Sequence, residues 1–363
     1  MDDTLIPARA TPPGRILRRE LDARGWTQKD LAEILGRPSQ VITEIVRGTK
    51  QITPETAVAL GAAFGTPPEF WSNLEASYRL ALARRQESGA DDVTRKARLY
   101  GWVPVGELLK RGWIPAHHTV ADLERAVCEF LEVENVGDEP ALAVNLRHSL
   151  QDASQRAAQR AWVKRVELLA GGQRVGMFNA NRLRSAIPEL VRGASSLNGV
   201  ANVPLLLAAL GIRFVVVPHL PRTKLDGAAA FTAAGPVVAL TMRFDRIDYF
   251  WFTLLHELAH LVLEHRGGHL DEETDGDTID TEEVEANALA SGWLVSDEQI
   301  RAFAAKHRGK PSKAAIEAFA QDHRLHSGIV VGRLHHLKLV PSANFRPMLG
   351  KVRELLEPWA DRA

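Results

Sequence analysis

The sequence predicts a multidomain protein: an all-α N-terminal domain over residues 1–85, a helical connector over 86–190 and an α+β C-terminal domain over 191–363. Three observations lead to that reading. The length of 363 residues exceeds the roughly 100–200 of an ordinary domain, so more than one core is expected. The N-terminal part alternates short apolar-periodic runs with glycine and proline stops, as packed short helices do. The C-terminal part groups its strand-like runs before its helix-like runs, the order of an α+β domain.

Composition narrows the class. Lys plus Arg and Asp plus Glu both number 45, so the formal charge is zero with 13 histidines neutral, and the chain is not basic throughout. Apolar residues at 45% and charged residues at 25% are ordinary globular values, which excludes wholesale disorder, collagen and a coiled-coil rod. Cys128 is the one cysteine; it cannot close an internal disulfide and reads as a small apolar residue rather than a nucleophile. The opening MDDTLIPARATPP carries two acids and no apolar stretch, unlike a secretory signal, so a cytoplasmic protein is expected. The most apolar segment, 249–263, contains His256, Glu257 and His260. It is too short and too polar to span a bilayer, and no membrane partner is expected.

In the N-terminal part Gly25 closes a first helix, Thr27 caps a second that runs to Leu35, and Gly36-Arg37-Pro38 breaks the chain before a third ending near Gly48. Pro54 opens a fourth helix, where its missing N–H does no harm, and Gly65 stops it after Phe64. In the connector, helical stretches such as 123–131 and 152–169 alternate with breaks at Pro104, Gly112, Pro140 and Gly171-Gly172. The Gln, Arg and Lys residues of the 152–169 stretch read as a solvated face, not a nucleic-acid contact. In the last part 212–217 and 236–241 are short, β-branched and bounded by Gly or Pro, as strands are. Helices then start near Arg246 and near Thr281, with two more before the C-terminus.

The second and third helices form a helix, a tight turn and a helix. Leu31, Ala32 and Leu35 on one and Val41, Ile42 and Ile45 on the next supply facing apolar surfaces. Ser39, Gln40, Thr43 and Glu44 are left outward; Gln pairs bidentately with adenine, and Ser or Thr serves either base. Between residues 9 and 50 there are nine Lys/Arg against five Asp/Glu, a surplus of four in a chain whose sum is zero. Lys29, Arg37, Arg47 and Lys50 would meet phosphates, which set register without specifying sequence. Thr27 and Gln28 at the start of the second helix complete the candidate DNA contacts. The plainer alternative is a packing unit with a solvated basic face.

Thr27-Gln28-Lys29-Asp30-Leu31-Ala32, Ile52-Thr53-Pro54-Glu55-Thr56-Ala57 and Gly65-Thr-Pro-Pro-Glu-Phe-Trp71 with Asn73-Leu74 resemble the Xre/Cro-type helix-turn-helix, and within it the HigA-like antitoxins. The resemblance covers residues 13 to about 82. It implies double-stranded operator DNA as a partner, a homodimer on a palindromic site, and a toxin as a further partner.

His256-Glu257-Leu258-Ala259-His260 is an H-E-x-x-H sequence. Residues four apart share a helix face, so both imidazoles reach one metal while Glu257 points one step round, toward the attacking water. Phe252, Leu255, Leu258, Leu261 and Val262 make the rest of this helix apolar. A catalytic site of this kind takes a third protein ligand and keeps one position open. A third histidine from H-E-x-x-H-x-x-G-x-x-H is disfavoured, because Leu263 stands at the glycine position and Arg266 at the histidine position, with His265 one place off. A glutamate from a downstream helix fits better. Glu283 and Asn287 share one helical face, so Glu283 would bind the metal and Asn287 would orient a ligand imidazole from behind; Glu285 is the alternative ligand. His265 and His269 are near enough to be auxiliary ligands, but surface positions suit them better. The stretch 271–285 carries nine Asp/Glu in fifteen residues and no Lys or Arg, which reads as a solvated loop before a substrate-steering one.

Phe252-Thr-Leu-Leu-His-Glu-Leu-Ala-His-Leu261 and Glu283-Val-Glu-Ala-Asn-Ala-Leu-Ala290 resemble the ImmA/IrrE family of metallopeptidases, as do Asp226-Gly227-Ala228-Ala229 and Gly328-Ile-Val-Val-Gly-Arg-Leu334. The resemblance covers about residues 200–340. It implies a gluzincin-like fold, Zn²⁺ as cofactor with Mn²⁺ as the alternative, and cleavage of repressors that relieves repression after stress. By motif position His256, His260 and Glu283 would be the ligands and Glu257 the general base. Ala259 stands where the family commonly has Gly, and Leu289 where Phe is common, which bears on substrate fit.

Tyr249, His326 and Arg333 are the candidate donors to an oxyanion, and 236–241 is a candidate edge strand that would pair with an extended substrate. The expected function is a DNA-binding transcriptional regulator with a zinc-dependent endopeptidase domain that cuts a repressor- or antitoxin-type protein, itself included. The rival is a non-hydrolytic antitoxin or repressor whose metal domain is a sensor or partner-binding module.

Overall fold

A computed structural model of the chain describes residues 11–86, 90–142, 153–221, 223, 225–265, 269–272 and 281–362. The chain divides into two compact units, Met1–Arg95 and Lys96–Ala363.

The first unit holds α1 (Pro13–Arg24), α2 (Gln28–Ile34), α3 (Ser39–Arg47), α4 (Pro54–Phe64) and α5 (Pro68–Gln86). Local chemistry sets the helix ends where the sequence places them. The Thr27 hydroxyl accepts from the Asp30 N–H at 3.2 Å, and the Asp30 carboxylate accepts from the Thr27 N–H at 2.7 Å. This reciprocal cap satisfies two donors at the start of α2 and holds the Asp30 carboxyl below its usual range. Thr53 caps α4 through the Thr56 N–H. Gly25, Gly48 and Gly65 end α1, α3 and α4 in the left-handed region, as expected. Leu17, Leu31, Ile42, Ile45, Leu60 and Trp71 are buried together, so the facing apolar surfaces of α2 and α3 meet in one core.

The second unit continues from α6 (Ala90–Trp102), which straddles the division, through α7 (Val105–Lys110), α8 (Val120–Leu131), α9 (Ala153–Gly171), α10 (Ala180–Arg192) and α11 (Asn198–Ala209). Then come β1 (Arg213–Val216), β2 (Leu225–Thr232), β3 (Gly235–Leu240), α12 (Ile247–Val262), β4 (His269–Glu272) and α13 (Thr281–Leu294). Three further helices follow, where the sequence reading expected two: α14 (Asp297–Lys306), α15 (Lys313–Asp322) and α16 (Ser327–His336). The difference arises at Ser296 and Ser312, which cap α14 and α15 as separate short helices.

The strands form one four-stranded sheet in the order β1-β3-β2-β4. β3 runs parallel to β1 and antiparallel to β2, while β4 lies antiparallel to β2. The expectation that 236–241 is an edge strand is therefore corrected: Val238 pairs with Phe214 on one side and with Ala229 on the other. The unbroken apolar run of β3 is what a strand covered on both faces requires. β2, the other inner strand, is rich in alanine and poor in β-branched residues, so pairing on both sides rather than propensity makes it a strand.

Side chains alternate between two buried layers. Phe214, Val216, Ala229, Val238 and Leu240 face a core shared with α10, α11, α12 and α16. Val215, Ala228, Ala230, Val237 and Ala239 face the other way, onto Phe130, Trp162 and Val166 of α8 and α9. The Trp162 Nε1–H donates to the Val217 carbonyl at 2.9 Å and ties α9 to the strand end. Cys128 sits half-buried beside this layer, and burial pushes its thiol pKa up, which disfavours a nucleophilic thiolate. Among the described residues no helix is long and apolar enough to cross a membrane.

Trp162→Phe removes the indole donor and leaves the Val217 carbonyl buried without it. The expected cost is about 1–3 kcal/mol of stability, read as a lower midpoint in urea unfolding followed by far-ultraviolet circular dichroism; an unchanged midpoint would show that the bond contributes nothing.

Candidate metal centre and helix-turn-helix face

α12 places its polar residues deep inside the second unit. Leu254, Leu255, Leu258 and Leu261 of this helix are buried, and so are His256 at 1% exposure and Glu257 and His260 at 0%. Burying two imidazoles and a carboxylate in such surroundings is costly unless each finds a partner. α13 packs alongside α12 and supplies one. Glu283 Oε2 lies 3.1 Å from His256 Nε2, Glu283 Oε1 lies 3.7 Å from His260 Nε2, and the two imidazole nitrogens are 3.1 Å apart.

These three side chains offer donor atoms that all lie within 4.8 Å of one another. Donors held at about 2.0–2.1 Å from one tetrahedral ion stand roughly 3.3 Å apart, so the spacing fits a divalent cation. The donor chemistry fits as well. With both Nε2 atoms unprotonated, two imidazole nitrogens and a carboxylate converge as acceptors, an arrangement that a cation satisfies.

Glu257 lies beside this cluster against the sheet. A Cβ on Gly227 of β2 would come within 2.6 Å of Glu257 Oε1 and 2.8 Å of Thr253 Cγ2. Only glycine lets the carboxylate approach the strand so closely.

His265, set aside as a surface residue by the sequence reading, joins the cluster. Its Nδ1 is 3.0 Å from His260 Nδ1 and its Nε2 is 3.7 Å from Glu285 Oε2, with 9% of its side chain exposed. The end of α12 places it there. Glu264 takes a left-handed φ of 56°, its N–H reaches the Leu261 carbonyl, and the His265 N–H donates to the His260 carbonyl at 3.0 Å. This is a Schellman turn, which brings the side chain two positions past the cap onto the last full turn of its helix. The spacing of five between the two histidines was the available signal. The His269 side chain and residues 273–280 of the acidic stretch lie outside the described residues.

The remaining candidates are spread out. Asn287 is exposed and, among the described residues, makes no hydrogen bond to either imidazole. It lines a cleft of about 520 Å³ with Phe252, Ser291, Arg333 and His336. Phe252 stacks beside His256 with ring centres 6.4 Å apart. Arg333 lies 5.4 Å from the centre of the Phe252 ring, donates to Ser291 Oγ at 3.3 Å and pairs with Asp297. Burial pushes the Arg333 pKa down, and Asp297 opposes that shift. Tyr249 packs edge-on against Phe244 at 4.8 Å, nearer the start of α12. His326 caps α16, where its Nδ1 accepts from the Gly328 N–H at 3.0 Å, and it lines a different cleft with Arg192, Ser195 and Arg324. Burial pushes its pKa down.

On the first unit Thr27, Lys29, Ser39, Gln40, Arg47 and Lys50 are exposed. Thr43 Oγ1 donates to Gln28 Oε1 at 2.9 Å and couples α3 to α2. Gln40 Nε2 donates to Glu44 Oε1 at 3.0 Å, and Lys50 approaches Glu44 at 3.7 Å. Arg37 instead donates to Thr56 Oγ1 at 2.9 Å, at the start of α4.

The Helix-turn-helix family matches residues 17–71, and the IrrE N-terminal-like domain matches residues 221–335. Virulence-associated protein I of Dichelobacter nodosus is 37% identical over 85 residues, which are 23% of this chain and 79% of that protein. An uncharacterized HTH-type transcriptional regulator, YddM, of Escherichia coli (strain K12) is 29% identical over 87 residues, 24% of this chain and 88% of that protein. The structure of Pseudomonas aeruginosa antitoxin HigA with the higBA promoter shares 35% identity, covering 22% of this chain and 86% of that one, with a TM-score of 0.21. Through residues 17–71 the chain belongs to the helix-turn-helix family, and over residues 221–335 it carries an IrrE N-terminal-like domain.

Proposed function

We propose that the protein is a DNA-binding transcriptional regulator whose second unit is a metal-dependent endopeptidase acting on a repressor- or antitoxin-type protein. The observation that carries this reading is the convergence of the donor atoms of His256, His260 and Glu283 within 4.8 Å of one another, with Glu257 buried on the same helix and its carboxylate set against Gly227 of β2. Zn²⁺, or Mn²⁺ as the alternative, would polarise the scissile carbonyl when held there and acidify the attacking water.

This chain's own groups carry the rest. Glu257 accepts the proton of the attacking water and delivers it to the leaving amine. Its backing by Gly227 and Thr253 fixes the carboxylate at the sheet surface. The cleft of Phe252, Asn287 and Ser291 receives the substrate next to the cluster. Arg333 lines that cleft and is the best placed of the three oxyanion candidates; Tyr249 comes next, and His326, on another cleft, is assigned no part. Strand addition by an extended substrate falls to β4, the outer strand beside Gly227, rather than to β3.

On the first unit Ser39 and Gln40 are offered to base edges, with Thr43 and Glu44 behind them, while Thr27, Lys29, Arg47 and Lys50 meet phosphates. The Gln28–Thr43 bond holds the two helices in register, and Arg37, turned to Thr56, is placed to support α4. A homodimer on a palindromic operator and a toxin partner complete the proposal. The HTH-type regulator among the relatives supports its DNA-binding half.

Glu257→Gln is expected to keep its metal and lose cleavage by about 10²–10⁴-fold, measured as fragments of the protein itself or of a candidate repressor in Zn²⁺ or Mn²⁺. Wild-type cleavage by this variant would remove Glu257 from the role. Gly227→Ala, whose methyl group must displace the Glu257 carboxylate or Thr253, is expected to slow cleavage without abolishing metal uptake; an unchanged rate would show that the close approach is not needed. Lys29→Ala is expected to weaken binding to all duplexes alike and to lower the salt slope by about 1. Gln40→Ala should instead cost about 1–3 kcal/mol on preferred duplexes alone. Fluorescence anisotropy with duplexes selected by the wild-type protein, across a salt series, separates the two; identical behaviour of both variants would dismiss the division of labour.

A further inference from the structure

We infer that His265, with the Glu285 carboxylate 3.7 Å beyond it, is a positioning residue for His260: the hydrogen bond between the two imidazoles dictates which nitrogen of His260 carries the proton and so whether Nε2 offers a lone pair to the metal position. The inference rests on the reading that His256, His260 and Glu283 hold a cation.

The tautomers follow from the distances. The two Nδ1 atoms of His260 and His265 are 3.0 Å apart, so one of them carries a proton and the other accepts it. His260 Nε2 faces His256 and Glu283. To bind a cation it must present a lone pair there, which leaves its proton on Nδ1. That proton is donated to His265 Nδ1. His265 then carries its own proton on Nε2, the nitrogen that faces Glu285 Oε2 at 3.7 Å.

The opposite direction of the first bond closes the site. A proton on His265 Nδ1 donated to His260 would put the His260 proton on Nε2, pointing at His256 and Glu283. Glu285 adds a bias toward the first arrangement, because a carboxylate near His265 Nε2 favours a proton on that nitrogen. Metal-ligating histidines are ordinarily oriented by such a partner on the far ring nitrogen. Among the described residues His265 is placed for this task and Asn287 is not. Its position has a backbone cause, since the Schellman turn after α12 carries it onto the His260 turn. Glu285 is 65% exposed on its side chain, so solvent screens its charge and its contribution is the smaller one.

The test uses the full chain, stripped with a chelator and titrated with Zn²⁺ against a chromophoric competitor, and with Co²⁺ by visible spectroscopy. His265→Phe keeps the ring and removes the acceptor. It is expected to bind Zn²⁺ roughly 10–100-fold more weakly and to shift the Co²⁺ bands. His265→Gln, which restores an acceptor at similar reach, is expected to recover most of the affinity. Wild-type affinity and an unshifted Co²⁺ spectrum in His265→Phe would overturn the positioning role. If His265→Phe fails to fold by circular dichroism, Glu285→Leu at its exposed position decides: a several-fold loss of affinity upholds the positioning role, and no loss overturns it. A wild-type chain that takes up neither ion overturns the reading of the centre itself, a result distinct from either outcome for the variants.

Discussion

The second unit is organised by one constraint: three ionisable side chains, His256, Glu257 and His260, are enclosed almost completely on a helix whose other buried residues are nearly all apolar. An uncompensated charge in such a place costs several kcal/mol, so every neighbouring element answers to it. α13 contributes the Glu283 carboxylate, β2 contributes a position without a side chain, and the turn after α12 contributes a second imidazole behind the first. The apolar matrix that makes the arrangement costly also strengthens the electrostatics within it, because fewer solvent dipoles screen the groups.

Legibility from sequence followed the range of the interactions concerned. The ends of α1, α2, α3 and α4 were readable because Gly25, Thr27, Gly48 and Gly65 act on their own backbone neighbours. The pairing of His256 with His260 was readable because helical periodicity alone determines it, and Glu283 followed from its spacing with Asn287 on a predicted helix. The inner position of β3 was not readable, since an apolar strand has the same composition whether one or two neighbours flank it. β2 has no signature of its own in the sequence because Ala228, Ala229 and Ala230 carry little strand propensity, and their state depends on partners distant in sequence. His265 was misplaced for a subtler reason: a five-residue spacing is off-face in a continuing helix and becomes a contact only after the helix ends in a left-handed residue at Glu264.

Each unit is formally neutral, with 13 Lys/Arg against 13 Asp/Glu in residues 1–95 and 32 against 32 in residues 96–363, so it is local placement that distinguishes their charges. In the first, exposed Lys29, Arg47 and Lys50 stand around α3, whose polar side chains are already bonded, Gln40 to Glu44 within the helix and Thr43 to Gln28 of α2. Such internal bonds restrict rotamers before any ligand arrives, which lowers the ordering cost of association. In the second, the ionisable groups of the candidate metal centre, His256, Glu257 and His260, are buried. The surplus of four cations over residues 9–50 is thus cancelled by acids within the first unit itself.

The layer of α8 and α9 over Val215, Ala228, Ala230 and Val237 bears on how such a chain could be assembled in evolution. A recombination junction near residue 191 would carry away the H-E-x-x-H helix, the sheet and Glu283, yet leave one whole face of that sheet bare. A bare apolar sheet face associates with its own copies, so the transplanted piece would be selected against before its chemistry could be tested. A junction before residue 96 moves sheet and cover together. The heritable module is therefore longer than the stretch that bears its chemical signature.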